Sequence, residues 1–394
     1  MGYPIFLKKY IKNKSMHIIG KSISKLKSEY FKMKDKKLSE KLVVIESDDW
    51  GNNRMPNFET KKKLESHWGK LPNRVFENYD SLLTHNDFSA LFEVLNKHKG
   101  GNGKPPIITA NTIMTNPNFD NIRDSNFEEY HYELFTETLN NSLQHSGAID
   151  AWHQGIKKGL FYPQLHGREH INVPRWLGLL RGGNKHLLKA FDHKVFGLGT
   201  YLIPSIQNSI LAAFDYDNEE DLKFGKESII EASSMFEKLF GYKSDTFIAP
   251  NYVWGDELLE TLAQCGVKGI QGIQSQVKPK YQLANINKCK SKMHYLGEIN
   301  SFGQRYLIRN AFFEPFEGID KKRVVKNCLQ QVDSAFKRKV PVTISTHRVN
   351  FSGSMSLKNR NENLEGLDEL LNQITIKWPE VEFVTSAQLL KKIL

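Results

Sequence analysis

Two adjacent carboxylates close the apolar run "VVIESDDWGN" at 43–52, and two histidines four residues apart stand in "LHGREHINV" at 165–173. A buried strand has no use for Asp48 beside Asp49: in one low-dielectric cleft, one of them is driven towards protonation unless a cation holds it. His166 and His170 are an H-x-x-x-H pair, and on a helical turn positions i and i+4 face the same way, so two imidazoles can reach one ion. Two imidazoles and one carboxylate with positions left open make a catalytic metal site. Asp49, His166 and His170 are therefore candidate ligands, and a bound divalent ion would relieve the Asp48–Asp49 repulsion. A third histidine, His347, ends the β-branched run "VPVTIST".

The elements that must position these groups alternate in type. Short β-branched runs at 42–47, 106–111, 160–166, 245–250, 267–272, 306–313, 340–346 and 381–386 are separated by helical patterns near 87–98, 128–145, 219–240, 255–265, 321–338, 362–376 and 386–393. Strands separated by helices imply βαβ units with parallel pairing. About eight such units predict an α/β fold, a distorted (β/α) barrel of seven or eight parallel strands, with residues 52–104 and 171–218 as long insertions. In such folds chemistry collects at the carboxyl ends of strands, which is where the aspartates, His166 and His347 fall.

The ordered set resembles the polysaccharide deacetylase family (carbohydrate esterase family four). Its first motif, T-F-D-D-G, is matched by "ESDDWG", with Trp50 inserted before Gly51. Its second, H-[ST]-x-x-H, is matched by "HGREH", with Gly167 in place of the hydroxyl residue. "TFIAPNY" keeps Thr246, Phe247 and Pro250 of T-F-R-x-P-[FY], and "ISTHRVNF" carries the late histidine. "EFVTSAQLL" is similar to the closing strand and helix, so the likeness spans 42–394 as one barrel behind a separate segment, 1–41. The family arginine that orients the catalytic aspartate aligns with Ile248, leaving Arg168, Arg309 or Arg348 to supply a guanidinium from elsewhere.

The resemblance implies a metal-dependent hydrolase that removes N-acetyl groups from a sugar or polysaccharide precursor. Asp49, His166 and His170 would hold the ion, zinc first, with cobalt or manganese as alternatives. Asp48 would take a proton from water and His347 would protonate the departing amine. A backbone N–H near Tyr252 would help hold the oxyanion. Trp50, Asn111, Arg168, Asn251, Tyr252 and Arg309 are candidate contacts to the N-acetylated substrate. A catalytically inactive glycan-binding protein on the same fold is the alternative, with Ile248 as its best support.

Charge narrows the partners. The net charge is +11, and residues 1–41 hold twelve lysines against Glu29, Asp35 and Glu40, so nine of the eleven lie there. The body has no basic stripe, which excludes a nucleic-acid surface. Met16, Ile19, Ile23, Leu26, Tyr30 and Met33 recur at helical spacing among the lysines, a pattern suited to peripheral contact with an anionic membrane. Three cysteines without a C-x-x-C pair and no secretory h-region point to a cytoplasmic protein. The sequence leaves the oligomeric state open.

Overall fold

The computed structural model describes residues 26–69, 71, 75–198, 209–279, 281, 291–316 and 318–394. Among the described residues thirteen strands follow in chain order: β1 (Leu42–Trp50), β2 (Ile108–Ile113), β3 (Thr115–Pro117), β4 (Tyr132–Leu134), β5 (Phe161–Gly167), β6 (Thr246–Ile248), β7 (Gly269–Gly272), β8 (Ser275–Val277), β9 (Ser291–Met293), β10 (Arg305–Ile308), β11 (Ala311–Phe312), β12 (Val342–His347) and β13 (Glu382–Phe383). The main sheet runs β10-β7-β6-β5-β2-β1-β12-β11, with β13 added beside the start of β1. All of its pairings are parallel. β3 with β4 and β8 with β9 form two small antiparallel ribbons.

The sheet curls until its two edges are joined by consecutive residues. Arg309 N–H donates to Gly272 O at the end of β7 (2.8 Å), and Asn310 N–H donates to Thr343 O in β12 (3.1 Å). The expected single strand at 306–313 is thus two, β10 and β11, broken where the chain crosses the seam of a distorted barrel. With two residues between them there is no room for a covering helix. Elsewhere helices pack outside the sheet: His85–Lys97, Ala148–Lys157, Glu219–Phe240, Lys321–Lys337, Leu357–Lys377 and Ser386–Ile393.

Local chemistry explains the elements. The strands β1 and β2 are buried throughout, as expected for parallel strands covered on both faces. The helix His85–Lys97 starts on a reciprocal Thr84–Asp87 capping box, and Glu219–Phe240 starts on Asn218 with three acidic residues in its first turn. The helix expected over 128–145 is replaced by β4, the short helix Phe135–Asn140 and a single 3-10 turn, and the true helix follows at Ala148–Lys157. The insertion at 171–218 is not a bare connection either. Helices Val173–Arg181 and Lys185–Asp192 bury Trp176, Leu177, Leu180, Leu187 and Phe191 in a second, smaller core.

Residues 26–33 are helical, with Leu26, Tyr30 and Met33 exposed; Met16, Ile19 and Ile23 lie outside the described residues. This helix is tied to the barrel wall by Ser28 Oγ donating to Gln274 Oε1 (2.5 Å). Among the described residues no helix is long and apolar enough to cross a membrane.

Candidate functional site

Asp48 and Asp49 end β1, and in a regular strand their side chains would point to opposite faces. Here the pairing of β1 with β2 slips between Ser47 and Trp50, and Asp49 takes φ 71°, a left-handed conformation uncommon for a side-chain-bearing residue. The bulge re-aims Asp49, so both carboxylates serve one mouth. Two residues on, Gly51 has φ 83°, and a Cβ there would stand 2.3 Å from Ile113 O. No other residue fits that turn.

Asp49 meets the two histidines. Its Oδ1 lies 3.4 Å from His166 Nε2 and 3.2 Å from His170 Nε2, and all three side chains are buried. The histidines do not share a helical turn: His166 ends β5, and Gly167 at φ 131° turns the chain to bring His170 back. His166 Nδ1 lies 2.8 Å from Ile248 O. A carbonyl only accepts, so Nδ1 carries a proton, and Nε2 is the ring nitrogen turned towards Asp49. Burial, followed by the nearby Arg54 charge, pushes His170 down to about 4, so that ring is neutral at neutral pH. A carboxylate oxygen 3.2–3.4 Å from two imidazole nitrogens in a buried space is an arrangement compatible with a metal ion among them. Tetrahedral ligands at about 2.0–2.1 Å from zinc stand about 3.3–3.4 Å apart, so the donor set fits such an ion.

Asp48 is held differently. Arg309 grips it with both terminal nitrogens, NH2 to Oδ1 at 2.6 Å and NH1 to Oδ2 at 2.7 Å, and Asn111 Nδ2 donates to Oδ1 at 2.7 Å. Burial alone would raise the Asp48 pKa, but Arg309 outweighs it and keeps the carboxyl well below the usual carboxylate range. The guanidinium is itself fixed, with Nε donating to Glu46 Oε2 (2.6 Å) and NH1 donating to Tyr252 Oη (3.0 Å) and Ser345 Oγ (3.1 Å). The guanidinium that grips Asp48 thus comes from the seam.

His347, at the end of β12, pairs in register with Asp48 across the sheet. Its Nε2 lies 3.8 Å from Asp48 Oδ2, and its Nδ1 lies 2.6 Å from Glu314 Oε1. Burial would lower its pKa; the Glu314 carboxylate outweighs that and lifts it to about 9. Glu314 is in turn fixed by Asn350 Nδ2 (2.7 Å). The His347 side chain is 24% exposed while the aspartates are nearly sealed, so access comes from its side. A groove of about 1030 Å³ along the seam is lined there by Phe76, Tyr252, Arg309, Phe312, Glu314 and His347.

Several expected substrate contacts are placed elsewhere. Trp50 is sealed in an aromatic cluster with Phe88, Trp152 and Phe161, ring centroids 5.7, 5.9 and 4.6 Å away, because its position on β1 faces the covering helices His85–Lys97 and Ala148–Lys157. Arg168 points away from the mouth, paired with Glu169 (2.5 Å) and Glu231 (2.6 Å) among Tyr130, Tyr132 and Phe224. Asn111 is buried, and its amide is engaged with Asp48 rather than offered to a sugar. Asn251 is exposed and donates to Ser209 Oγ (3.2 Å). The backbone N–H groups of Tyr252 and Val253 are taken by Ala249 O and Pro250 O within their own turn, which removes them as oxyanion donors. Arg348 pairs with Asp80, not with Asp48.

Sequence reasoning missed Glu46, Arg54, Asp80 and Ser345. Glu46 had a signal: a carboxylate inside an apolar strand needs a cation. Arg54 had none, since it sits on a loop beyond β1. Its NH2 nonetheless reaches Asp49 Oδ2 (3.1 Å) and His170 Nε2 (3.2 Å), its Nε lies 3.2 Å from Asp80 Oδ2, and Arg348 pairs with the other side of Asp80.

No family model and no curated protein matches this chain. Solved structures do resemble it. One is a probable polysaccharide deacetylase from Pseudomonas aeruginosa PAO1, 9% identical, covering 89% of each chain with a TM-score of 0.45. Another is the 4-alpha-glucanotransferase of Thermococcus litoralis, 12% identical, covering 90% of this chain and 40% of that one with a TM-score of 0.43. A third is the peptidoglycan deacetylase PdaC of Bacillus subtilis, 12% identical, covering 90% and 92% with a TM-score of 0.36. These likenesses are loose and mix a transferase with deacetylases, so function must be argued from the site.

Proposed function

We propose that this protein is a metal-dependent hydrolase that removes the acetyl group from an N-acetylated sugar or glycan. One observation carries the proposal: three buried acceptor atoms, Asp49 Oδ1, His166 Nε2 and His170 Nε2, converge beside a second carboxylate, Asp48, that is held ionised by Arg309. An ion on Asp49, His166 and His170, zinc in the first instance, would polarise the acetamide carbonyl and lower the pKa of water.

The chain's own groups do the rest. Asp48, locked by Arg309 and Asn111, is a carboxylate at neutral pH and accepts a proton from the attacking water. His347, charged below pH 9 through Glu314, donates a proton to the leaving amine, which departs poorly as an anion. The roles follow from the two environments: one group held ionised, the other held protonated. Tyr252, Phe76 and Phe312 along the seam groove supply ring faces for a sugar. The lysine-rich start suits a substrate at an anionic surface in the cytoplasm, and a soluble sugar serves the chemistry equally well.

The test is acetate release from a panel of N-acetylated sugars by protein loaded with Zn²⁺ or Co²⁺, against chelator-treated protein and Asp48→Asn. Metal-dependent release that falls about 10²–10⁴-fold in Asp48→Asn is expected. No release with any sugar or metal, together with glycan binding unchanged in Asp48→Asn, would make this a glycan-binding protein on an enzyme's fold.

A further inference from the structure

The Arg54 guanidinium raises a question that the proposed metal site does not answer. It belongs to neither the ligands nor the proton-handling pair, yet it is buried in the middle of them. Its NH2 lies 3.2 Å from His170 Nε2 and 3.1 Å from Asp49 Oδ2. Guanidinium nitrogens only donate, so the contact with His170 uses the ring's acceptor nitrogen. A neutral imidazole has one lone pair, directed along the ring plane. The same lone pair cannot take an N–H and coordinate an ion.

We infer that Arg54 is a resident stand-in for the ion, a built-in competitor whose guanidinium must leave His170 before the ion can bind, and which thereby sets the site's metal affinity. The inference rests on the reading of Asp49, His166 and His170 as metal ligands. The surroundings support a side chain with a fixed stem and a second place for its charge. The Arg54 stem runs against Gly197, where a Cβ would stand 3.0 Å from Arg54 Cβ, so the stem has little freedom. The guanidinium lies over the Phe76 ring, 4.8 Å from its centroid, with Asp80 Oδ2 3.2 Å from Nε. Asp80 and the far oxygen of Asp49 can keep the charge paired after the His170 contact breaks. Phe76 also meets the His347 ring edge-on, with centroids 5.1 Å apart.

A competitor and an orienting partner predict opposite signs. Removing a group that merely orients a ligand weakens metal binding about 10–100-fold. Removing a competitor tightens it. Zn²⁺ is titrated into metal-free wild type and Arg54→Met by calorimetry, with a chelator of known affinity as competitor; methionine keeps the length and apolar packing without charge. Tighter binding by Arg54→Met, about tenfold or more, is the expected result, with Arg54→Lys in between because an ammonium cannot span Asp80, Asp49 and His170 at once. Equal or weaker binding in Arg54→Met overturns the inference while leaving the metal site standing. If neither protein binds Zn²⁺, the metal reading fails and this inference goes with it. Should Arg54→Met not fold, a crystal of zinc-loaded wild type decides. An Arg54 nitrogen still within hydrogen-bond distance of His170 Nε2 overturns the proposal, and a guanidinium moved onto Asp80 sustains it.

Discussion

Asp48 and Asp49 are neighbours in the chain and belong to opposite halves of the site. Asp48 stays in register with β12 and is locked by every group around it: Arg309 on both oxygens, Asn111 on one, and beyond them Glu46, Ser345 and Tyr252. Asp49 leaves the register through the bulge and faces two imidazoles whose Nε2 atoms point at it. One half is a closed network of the chain's own groups, and the other gathers three side chains in an arrangement compatible with a metal ion. The difference teaches that a single strand end can serve two kinds of chemistry when one backbone irregularity separates adjacent side chains.

That contrast is open to attack, and the largest effect is expected on the Asp49 side. His166→Ala deletes an acceptor whose Nδ1 is anchored on Ile248 O at 2.8 Å, and no other described side chain stands ready to replace it. Zinc bound per chain, measured by elemental analysis after dialysis, should fall from one to near zero, and acetate release should vanish with it. The Asp48 half should stay intact, with a thermal transition in chelator close to that of metal-free wild type. A large loss of metal-free stability would mean that the two halves are not separable.

Arg309 tests the other half. It is buried between Glu46 and Asp48, with 2.6 Å contacts to each. Arg309→Met leaves two buried carboxylates without their guanidinium, and breaking such a pair costs about 3–5 kcal/mol. Denaturant unfolding should register that loss, and Zn²⁺ affinity should change far less than in His166→Ala. Asp48 would also lose the charge that holds its pKa down, so the acid limb of the activity profile should move to higher pH. An unfolding free energy within about 1 kcal/mol of wild type would refute the locked description, since ordinary surface changes reach about 0.5 kcal/mol.

What was legible from the chain follows the same divide. The strand ends at Asp48, Asp49, His166 and His347 are readable because parallel α/β folds collect polar groups there, and the run of β-branched segments predicts the barrel itself. Arg309 is named in the sequence as a candidate, but its partner is not, because the contact is made by a chain crossing between sheet edges that no periodicity records. Trp50 misleads for a simple reason: a tryptophan beside two aspartates resembles a sugar platform, and only the facing Phe88, Trp152 and Phe161 reveal it as core. Arg54 is invisible to spacing. Its stem follows a loop that folds back over the mouth, and loop geometry is set by packing partners such as Gly197, far away in sequence.

The smallest expected effect is the most discriminating for the proton-handling half. His347 is lifted to about 9 against a burial that would lower it, and the Glu314 carboxylate at 2.6 Å is the leading cause of the rise. The charged pair therefore stabilises the fold fully below the ordinary histidine value of 6.5, and this contribution is lost as pH climbs through about 9. Glu314→Gln keeps the shape and removes the charge. The alkaline limb of the activity profile should then slide from about 9 towards 6.5, with zinc affinity unchanged and the rate at low pH nearly preserved. Stability measured across the same range should lose its decline above neutral pH. An alkaline limb that stays near 9 in Glu314→Gln would assign it to some group other than His347 and leave the leaving amine without its proton donor.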